Sequence, residues 1–514
     1  MKNFRLGLGF GLLSTILSCV AGIGCGSGSG YANPTTAVAK TANPLVAQYS
    51  VTQPHKGSSV FVEFGTDTSY GRQTATTAAT DSFGQMATVL VAGMKANTTY
   101  HMRAHVQWNG TDWVDQDRTF TTGAIPSSFL MPGITVTPTN LTPNPGIEMM
   151  DLVAESASDT LDVFATDLSG NVIWYYDIGA GNFAAPVKII PNGDIIMGIG
   201  ATSPVLREID LAGNTVREVS NTAMSQQLQA LGYTVTLNGF HHDLAILPNG
   251  HFIILANMYV PYTNLPGYPG VTNVLGDVLI DLDPNWNPVW FWSTFDHLDI
   301  NRHLMGLPDW THSNAILYDS HDGNLILSMR HQSWVIKIDY QNGSGAGDIL
   351  WHLGEDGDFT LTPNDPAQWF YAEHFPAIVS QSGSQTTLSV MDNGNLRLAA
   401  NPADDCTSNY TANADCYSRA AIFQFDESAK TASVVWQDSP GGLFSFFGGN
   451  TLVLPNNHVE FDLCSPFGLT PGSQVMEVTQ ETVPQTVWQM NVNGDYAYRA
   501  LRTPSLYPGV TWTK

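Results

Sequence analysis

Three histidines recur at one position of a repeated motif. His242 opens His242-Asp243-Leu244-Ala245-Ile246, His312 opens His312-Ser313-Asn314-Ala315-Ile316, and His374 opens His374-Phe375-Pro376-Ala377-Ile378. With the apolar cores aligned, an earlier copy has Ala185 at this position and a later copy has Gly449. Converging imidazoles support two chemistries. As neutral ligands, three histidines hold a metal ion with an open position. As nucleophile and acid–base groups, they carry out covalent group transfer. A structural hydrogen-bonding histidine, repeated for stability, is the alternative, but here only three copies carry it. Arg330, in Ser328-Met329-Arg330-His331-Gln332, weighs between the two chemistries. Beside a three-histidine metal a guanidinium adds unwelcome charge, whereas its planar fork matches sulfate or phosphate oxygens. Its other role would be an ion pair within its own sheet. His241 adjoins His242, and strand alternation is expected to point it to the opposite face.

The elements that must position these residues form a repeat. One unit is an apolar strand, an acidic turn and a second strand. It appears at Val163-Phe164-Ala165-Thr166-Asp167 with Val172-Ile173-Trp174, and at Leu206-Arg207-Glu208-Ile209-Asp210 with Val216. It recurs at Val278-Leu279-Ile280-Asp281, Val335-Ile336-Lys337-Ile338-Asp339, Ile422-Phe423-Gln424-Phe425-Asp426 and Val475-Met476-Glu477-Val478. Second hairpins lie between the copies, beginning at Val187-Lys188-Ile189-Ile190, Leu244-Ala245-Ile246-Leu247, Asn314-Ala315-Ile316-Leu317, Pro376-Ala377-Ile378-Val379 and Leu452-Val453-Leu454. Two hairpins per unit make a four-stranded blade, so the expected fold is all-β, a six-bladed β-propeller over residues 134-514. No apolar pattern of period 3.6 is sustained. A residue opening a blade's inner hairpin falls beside the central channel. Arg330 lies on the strand paired with the one His312 opens. Upstream, Val60 to Phe64, Thr88 to Val91 and Tyr100 to Val106 alternate as strands. This region resembles a fibronectin III-like β-sandwich, giving a small N-terminal domain over 31-125. Residues 123 to 145 read as a linker or edge strand.

Composition sets the class. The chain has 514 residues, 43% hydrophobic and 13% charged, with 47 Gly and 29 Pro, which suits many short strands and turns. A formal charge of -25 argues against nucleic acid and against docking on anionic lipid. Lys2 and Arg5 precede an apolar stretch from Leu6 to Val20, then Ile23-Gly24-Cys25 and a Gly/Ser tether. This is the pattern of an export segment over residues 1-25. A small residue before Cys resembles a bacterial lipoprotein cleavage site, which makes Cys25 a candidate lipid anchor. Gly22 stands where such sites usually have Leu, Cys19 competes, and an ordinary secretory signal is the alternative. The protein is expected to be exported, periplasmic or held on a membrane as a lipoprotein. Nothing after this segment is long and apolar enough to span a bilayer. Export permits disulfides, and Cys406 and Cys416, bracketing a polar loop, are expected to pair. Cys464 is left as a buried free thiol. No Gly-rich phosphate loop appears, so no nucleotide cofactor is implied.

Asp309 to Asp339 (DWTHSNAILYDSHDGNLILSMRHQSWVIKID) with Ile349-Leu350-Trp351-His352-Leu353-Gly354 resembles the signature of bacterial arylsulfate sulfotransferases. GFHHDLAILPNG, VMDNGN and YRALRTPSLYP fit the same family in the same order. The resemblance implies the sandwich-plus-propeller architecture. It also implies transfer of a sulfuryl group from an aryl sulfate donor to a phenolic acceptor without a phosphoadenosyl donor, through a sulfo-histidine in ping-pong fashion. Its nucleophile falls on His374, its assisting histidines on His242 and His312, and its arginine on Arg330. Glu373-His374-Phe375-Pro376 departs from the family's usual neighbours, so that assignment rests on repeat register and on the downstream Met391-Asp392-Asn393-Gly394. The family's disulfide near the site would be Cys406–Cys416. Two further readings stand beside this one: a metal-dependent hydrolase or lyase on the three histidines, and a non-catalytic ligand-binding propeller.

Overall fold

The computed structural model describes residues 33–513 except 53, 55, 80–85, 154–162, 201–202, 398–405, 407–415 and 468–471. The export segment, with Cys19 and Cys25, lies outside the described residues, as does the polar loop between Cys406 and Cys416. The described chain is all-β, built from antiparallel sheets with two short helices, Asn221–Ala230 and Thr294–His297.

Six sheets follow one another along the repeat region. The first holds Ala184–Ile189, Ile195–Ile199, Val205–Ile209 and Thr215–Ser220. The second holds Leu237–Ile246, Phe252–Leu265, Tyr268–Leu282 and Pro288–Ser293, and the third Ser313–Asp319, Asn324–Met329, Trp334–Ile338 and Ile349–Leu353. The fourth begins with His374–Ser382 and Gln385–Asp392, and the fifth with Thr451–Val453 and His458–Leu463. The sixth is assembled from both ends of the region: Tyr496–Thr503 pairs with Ile147–Val153, followed by Val163–Thr166 and Val172–Tyr176. The six outer and five inner hairpins therefore form where the apolar runs place them. The repeat pattern did not reveal the pairing of the last strand with Ile147–Val153. Gly133–Thr137 is an edge strand beside Thr486–Asn493, which settles the linker-or-strand question for that stretch.

Most inner strands are nearly continuously apolar because their sheets are covered on both faces, as at Ile195–Ile199 and Asn324–Met329. Leu244 and Ile254 of the second sheet pack against Ile196 and Leu206 of the first. Leu255 and Leu279 meet Ile316 and Leu327 of the third, and Ile326 meets Leu388 and Phe423 of the fourth. Met391 and Ile422 meet Phe461 and Met476 of the fifth. Met490 meets Met150 and Phe164 of the sixth, whose Met149 and Val163 return to Ile195 and Met197 of the first. Acidic turns recur at Asp167, Asp210 and Asp283, where each carboxylate accepts the amide of Asn171, Asn214 or Asn287 four residues on.

Upstream, two antiparallel sheets share a core of Tyr49, Val62, Phe64, Val89 and Met102. The C-terminal tail ties this unit to the repeat region. Trp512 Nε1 donates to the Gln73 carbonyl at 2.9 Å, and Tyr507 Oη to that of Leu90 at 2.8 Å. No helix among the described residues is long and apolar enough to cross a membrane.

Candidate active site

His242, His312 and His374 line one pocket of about 190 Å³, together with Val153, Phe183, Ala185, Phe447 and Tyr498. The leading strands of the second, third and fourth sheets bring them there, and each strand breaks register at its histidine or within the next three residues. The break has a common backbone cause. His242 has φ 56°, His312 φ 48° and Phe375 φ 46°, left-handed conformations that non-glycine residues rarely adopt. Such strain persists only where surrounding structure enforces it, and it turns these rings into the pocket instead of along the sheet.

Asn393 fixes His374. The two lie 2.7 Å apart, Nδ1 to Oδ1, and the Asn393 amide nitrogen donates to the carbonyls of Ser445 at 2.8 Å and Gly448 at 3.1 Å. Those two acceptors require the amide oxygen to face the ring, so Nδ1 carries the proton and Nε2 a lone pair. The backbone N–H of Gly448 lies 3.3 Å from Nε2 and donates to it, in keeping with that tautomer. Burial, and next the charge of Arg330, holds His374 well below the ordinary imidazole value, so the ring is neutral. A buried, neutral imidazole with Nε2 unprotonated is in the form that nucleophilic attack requires.

His312 and His242 meet at 4.8 Å between ring centroids, but their outer partners differ. His312 Nδ1 faces Asp309 Oδ2 at 2.5 Å, and His331 stacks on the ring at 4.6 Å. His331 Nδ1 donates to the Asp309 carbonyl at 2.7 Å, leaving Nε2 to accept from Arg330 Nη1 at 2.9 Å. Arg330 opens a short 3-10 turn just after the strand Asn324–Met329, and its Nη2 donates to the Phe446 carbonyl at 2.9 Å. It stands outside the pocket wall, yet its Nε is buried with no hydrogen-bond partner among the described residues.

His242 Nδ1 lies 2.6 Å from His241 Nδ1, and His241 Nε2 lies 3.3 Å from Asp277 Oδ1. The expectation that His241 faces away from the site is overturned. Alternation holds only for extended residues, and the left-handed backbone at His242 swings the two rings together. Burial, and after it the neighbouring His241, His312, His374 and Arg499, keeps His242 well below its ordinary value.

Register reasoning brought out the three histidines. It did not bring out Asn393, Asp309, His331, Phe183, Phe447 or Tyr498, which come from turns and from the closing strand. Tyr498 lies 5.5 Å from the His242 ring and 5.9 Å from that of His374, centroid to centroid. Among the described residues, the group whose ligand atoms gather within 4.8 Å is Asp309, His312 and His331, not the three pocket histidines. Cys406 and Cys416 form a disulfide, and Cys464 is a buried free thiol.

The profile of a family described as Arylsulfotransferase (ASST) matches residues 136–499. The arylsulfate sulfotransferase AssT of Escherichia coli is 27% identical over 194 residues, which is 34% of this chain and 30% of that protein. AssT of Lelliottia amnigena is 27% identical over 195 residues, with the same coverages of 34% and 30%. The matched stretch thus spans less than a third of either relative. Among solved structures, a protein of unknown function from Bacteroides caccae covers 70% of this chain and 98% of its own at 11% identity, with a TM-score of 0.41.

Proposed function

The chain belongs to the arylsulfotransferase family, and on that premise we propose that it transfers a sulfuryl group from an aryl sulfate to a phenol through His374. The observation that carries this reading is the bond from His374 Nδ1 to Asn393, which leaves Nε2 unprotonated at the pocket, with only the long 3.3 Å contact from Gly448 N–H to be given up on attack. Nε2 attacks sulfur in line, the bond to the leaving aryl oxygen breaks, and an N-sulfo-histidine forms. Arg330, just outside the pocket wall, offsets by its positive charge the charge that the sulfuryl oxygens gain in the transition state. His312 or His242 exchanges the proton with the aryl oxygen, which matters most when the leaving phenol is basic, near pKa 10 for an unactivated ring. An acceptor phenol then takes the group, so the kinetics are ping-pong. Aromatic walls at Phe183, Phe447 and Tyr498 suit a planar ring.

In this reading the six sheets are the blades of a six-bladed propeller over 134-514, and the two upstream sheets are a fibronectin III-like sandwich over 31-125. The protein works outside the cytoplasm after export, periplasmic or anchored through Cys25.

The test is mass spectrometry after treatment with p-nitrophenyl sulfate. One sulfuryl group is expected on the peptide containing His374, absent from His374→Asn, with nitrophenol release that depends on an added phenol. A label on another residue would overturn the nucleophile. A stoichiometric metal whose removal abolishes activity would support a metal-dependent hydrolase or lyase instead, and no release with several donors would support a binding protein.

A further inference from the structure

We propose that the two histidines flanking His374 are not equivalent: His312 moves the proton to and from the aryl oxygen with Asp309 as its positioning residue, while His242 stays neutral and orients the substrate. This rests on the sulfuryl-transfer reading above.

The outer partners of the two rings carry the argument. His312 Nδ1 meets a carboxylate directly, at 2.5 Å from Asp309 Oδ2. A carboxylate there fixes Nδ1–H, directs Nε2 to the pocket, and compensates the positive charge of an imidazolium. The carboxylate is itself held. The chain around it continues an edge of the second sheet, where Leu275 N–H donates to the Pro308 carbonyl at 2.7 Å and Trp310 N–H to that of Leu275 at 2.9 Å. His331 fastens the Asp309 carbonyl at 2.7 Å from one side and Arg330 from the other. Arg330, His331, Asp309 and His312 thus form one connected chain, so the guanidinium beside the pocket and the group holding the proton are set by the same contacts.

Among the described residues His242 has no carboxylate in contact with Nδ1. Its Nδ1 meets a second imidazole, and the carboxylate beyond that, Asp277, reaches only that imidazole, with Oδ1 3.3 Å from His241 Nε2 and Oδ2 accepting from Thr311 Oγ1 and Ser313 N at 2.6 Å each. The rings and the guanidinium around it, His241, His312, His374 and Arg499, all oppose a positive charge. A proton placed on His242 finds no carboxylate in contact. The neutral ring still offers one hydrogen bond to a substrate oxygen.

The cycle balances. In the first half, the S–O bond to the leaving oxygen breaks, the S–Nε2 bond to His374 forms, and the His312 proton passes to that oxygen. In the second half, the acceptor phenol gives its proton to His312, its oxygen bonds to sulfur, and the S–Nε2 bond breaks. Both rings return to their starting states.

The experiment measures the rate of His374 labelling in the full chain with a series of aryl sulfates of rising leaving-phenol basicity, in wild type, Asp309→Asn and Asp277→Asn. Asp309→Asn should slow unactivated phenyl sulfates by about 10²-fold, within the range of general acid catalysis. It should leave p-nitrophenyl sulfate close to wild type, steepening the dependence on leaving group. Asp277→Asn should shift all donors by one common factor. A destabilised fold lowers every donor alike, so the slope separates positioning from structural damage. For a second variant, His312→Ala should recover labelling by poor donors when imidazole is added. A common shift in Asp309→Asn with a steeper slope in Asp277→Asn would assign the proton to His242 and overturn the proposal. Unchanged slopes in both would overturn it as well, while labelling of His374 in wild type leaves the functional reading standing. Failure of wild type to label with any donor would overturn both.

Discussion

Asn393 accepts the Nδ1–H of His374 at 2.7 Å through an amide whose orientation is fixed by two backbone carbonyls. The choice of an amide over a carboxylate has a chemical consequence. In the proposed transfer, a neutral oxygen holds the tautomer without neutralising the positive charge that the ring gains once Nε2 carries a sulfuryl group, so the ring stays a good leaving group.

Asn393→Asp should therefore stabilise the sulfated ring and make it reluctant to give the group up. Turnover is expected to fall by about 10- to 100-fold, the usual cost of altering a histidine's outer partner. Steady-state occupancy of sulfo-His374, read by mass spectrometry, should rise at the same time. A fall in both turnover and occupancy would mean that the residue only supports the fold.

Glu373, one residue before His374, gives a pH dependence of stability. Burial pushes its carboxyl up to about 8, and Ser328 Oγ donates to Oε1 at 3.0 Å while Oε2 is buried with no hydrogen-bond partner among the described residues. A folded-state value raised above the unfolded 4.5 means that the neutral carboxyl is accommodated in full below about pH 4.5. That stability is lost as pH rises through the folded value near 8, where the folded chain must bury a charge. Glu373→Gln stays neutral throughout. Its melting temperature relative to wild type should rise between pH 5 and pH 9; a constant difference across that range would refute the assignment.

The repeat was legible because strand periodicity and acidic turns are local. The apolar runs at Val278 and Val335 form strands where the pattern puts them, and three histidines fall in one pocket because register carries from one sheet to the next. What was hidden depends on distant pairing or on single torsions. Tyr498 reaches the pocket because Tyr496–Thr503 pairs with Ile147–Val153; the bond between Arg499 N and Asp151 spans 348 residues of sequence. His241 joins the site through one left-handed residue, which no alternation rule anticipates. Asp309 and Asn393 sit outside the aligned position, in segments whose course follows from tertiary contacts.

The Cys406–Cys416 disulfide closes a loop with a sequence separation of 10 and packs with Phe444, against which Phe446 also lies. Asn395 connects it to the site, accepting from Cys406 N at 3.2 Å and donating to the Phe446 carbonyl at 3.0 Å, the same carbonyl that receives Arg330. Replacing both cysteines by serine should reduce stability by about 2–3 kcal/mol on the chain-entropy account. Denaturant titration measures that. A transfer rate that drops further than the folded fraction would show that the link to Phe446 also positions Arg330.

Arg330 itself separates charge from geometry. Its two terminal nitrogens are committed, Nη2 to the Phe446 carbonyl and Nη1 to His331 Nε2, and its Nε has no hydrogen-bond partner among the described residues. A lysine supplies the charge but has one terminal nitrogen, which cannot satisfy both anchors and still face a sulfuryl oxygen. Arg330→Lys is therefore expected to lose nearly as much as Arg330→Ala, about 10²- to 10³-fold in kcat, the scale for removing one donor to a developing oxyanion. Both losses should fall on the rate of His374 labelling rather than on donor KM, because the interaction strengthens as charge develops on the sulfuryl oxygens. If Arg330→Lys kept wild-type labelling, a diffuse positive potential would suffice, and the chain through His331 to Asp309 would have no part in catalysis.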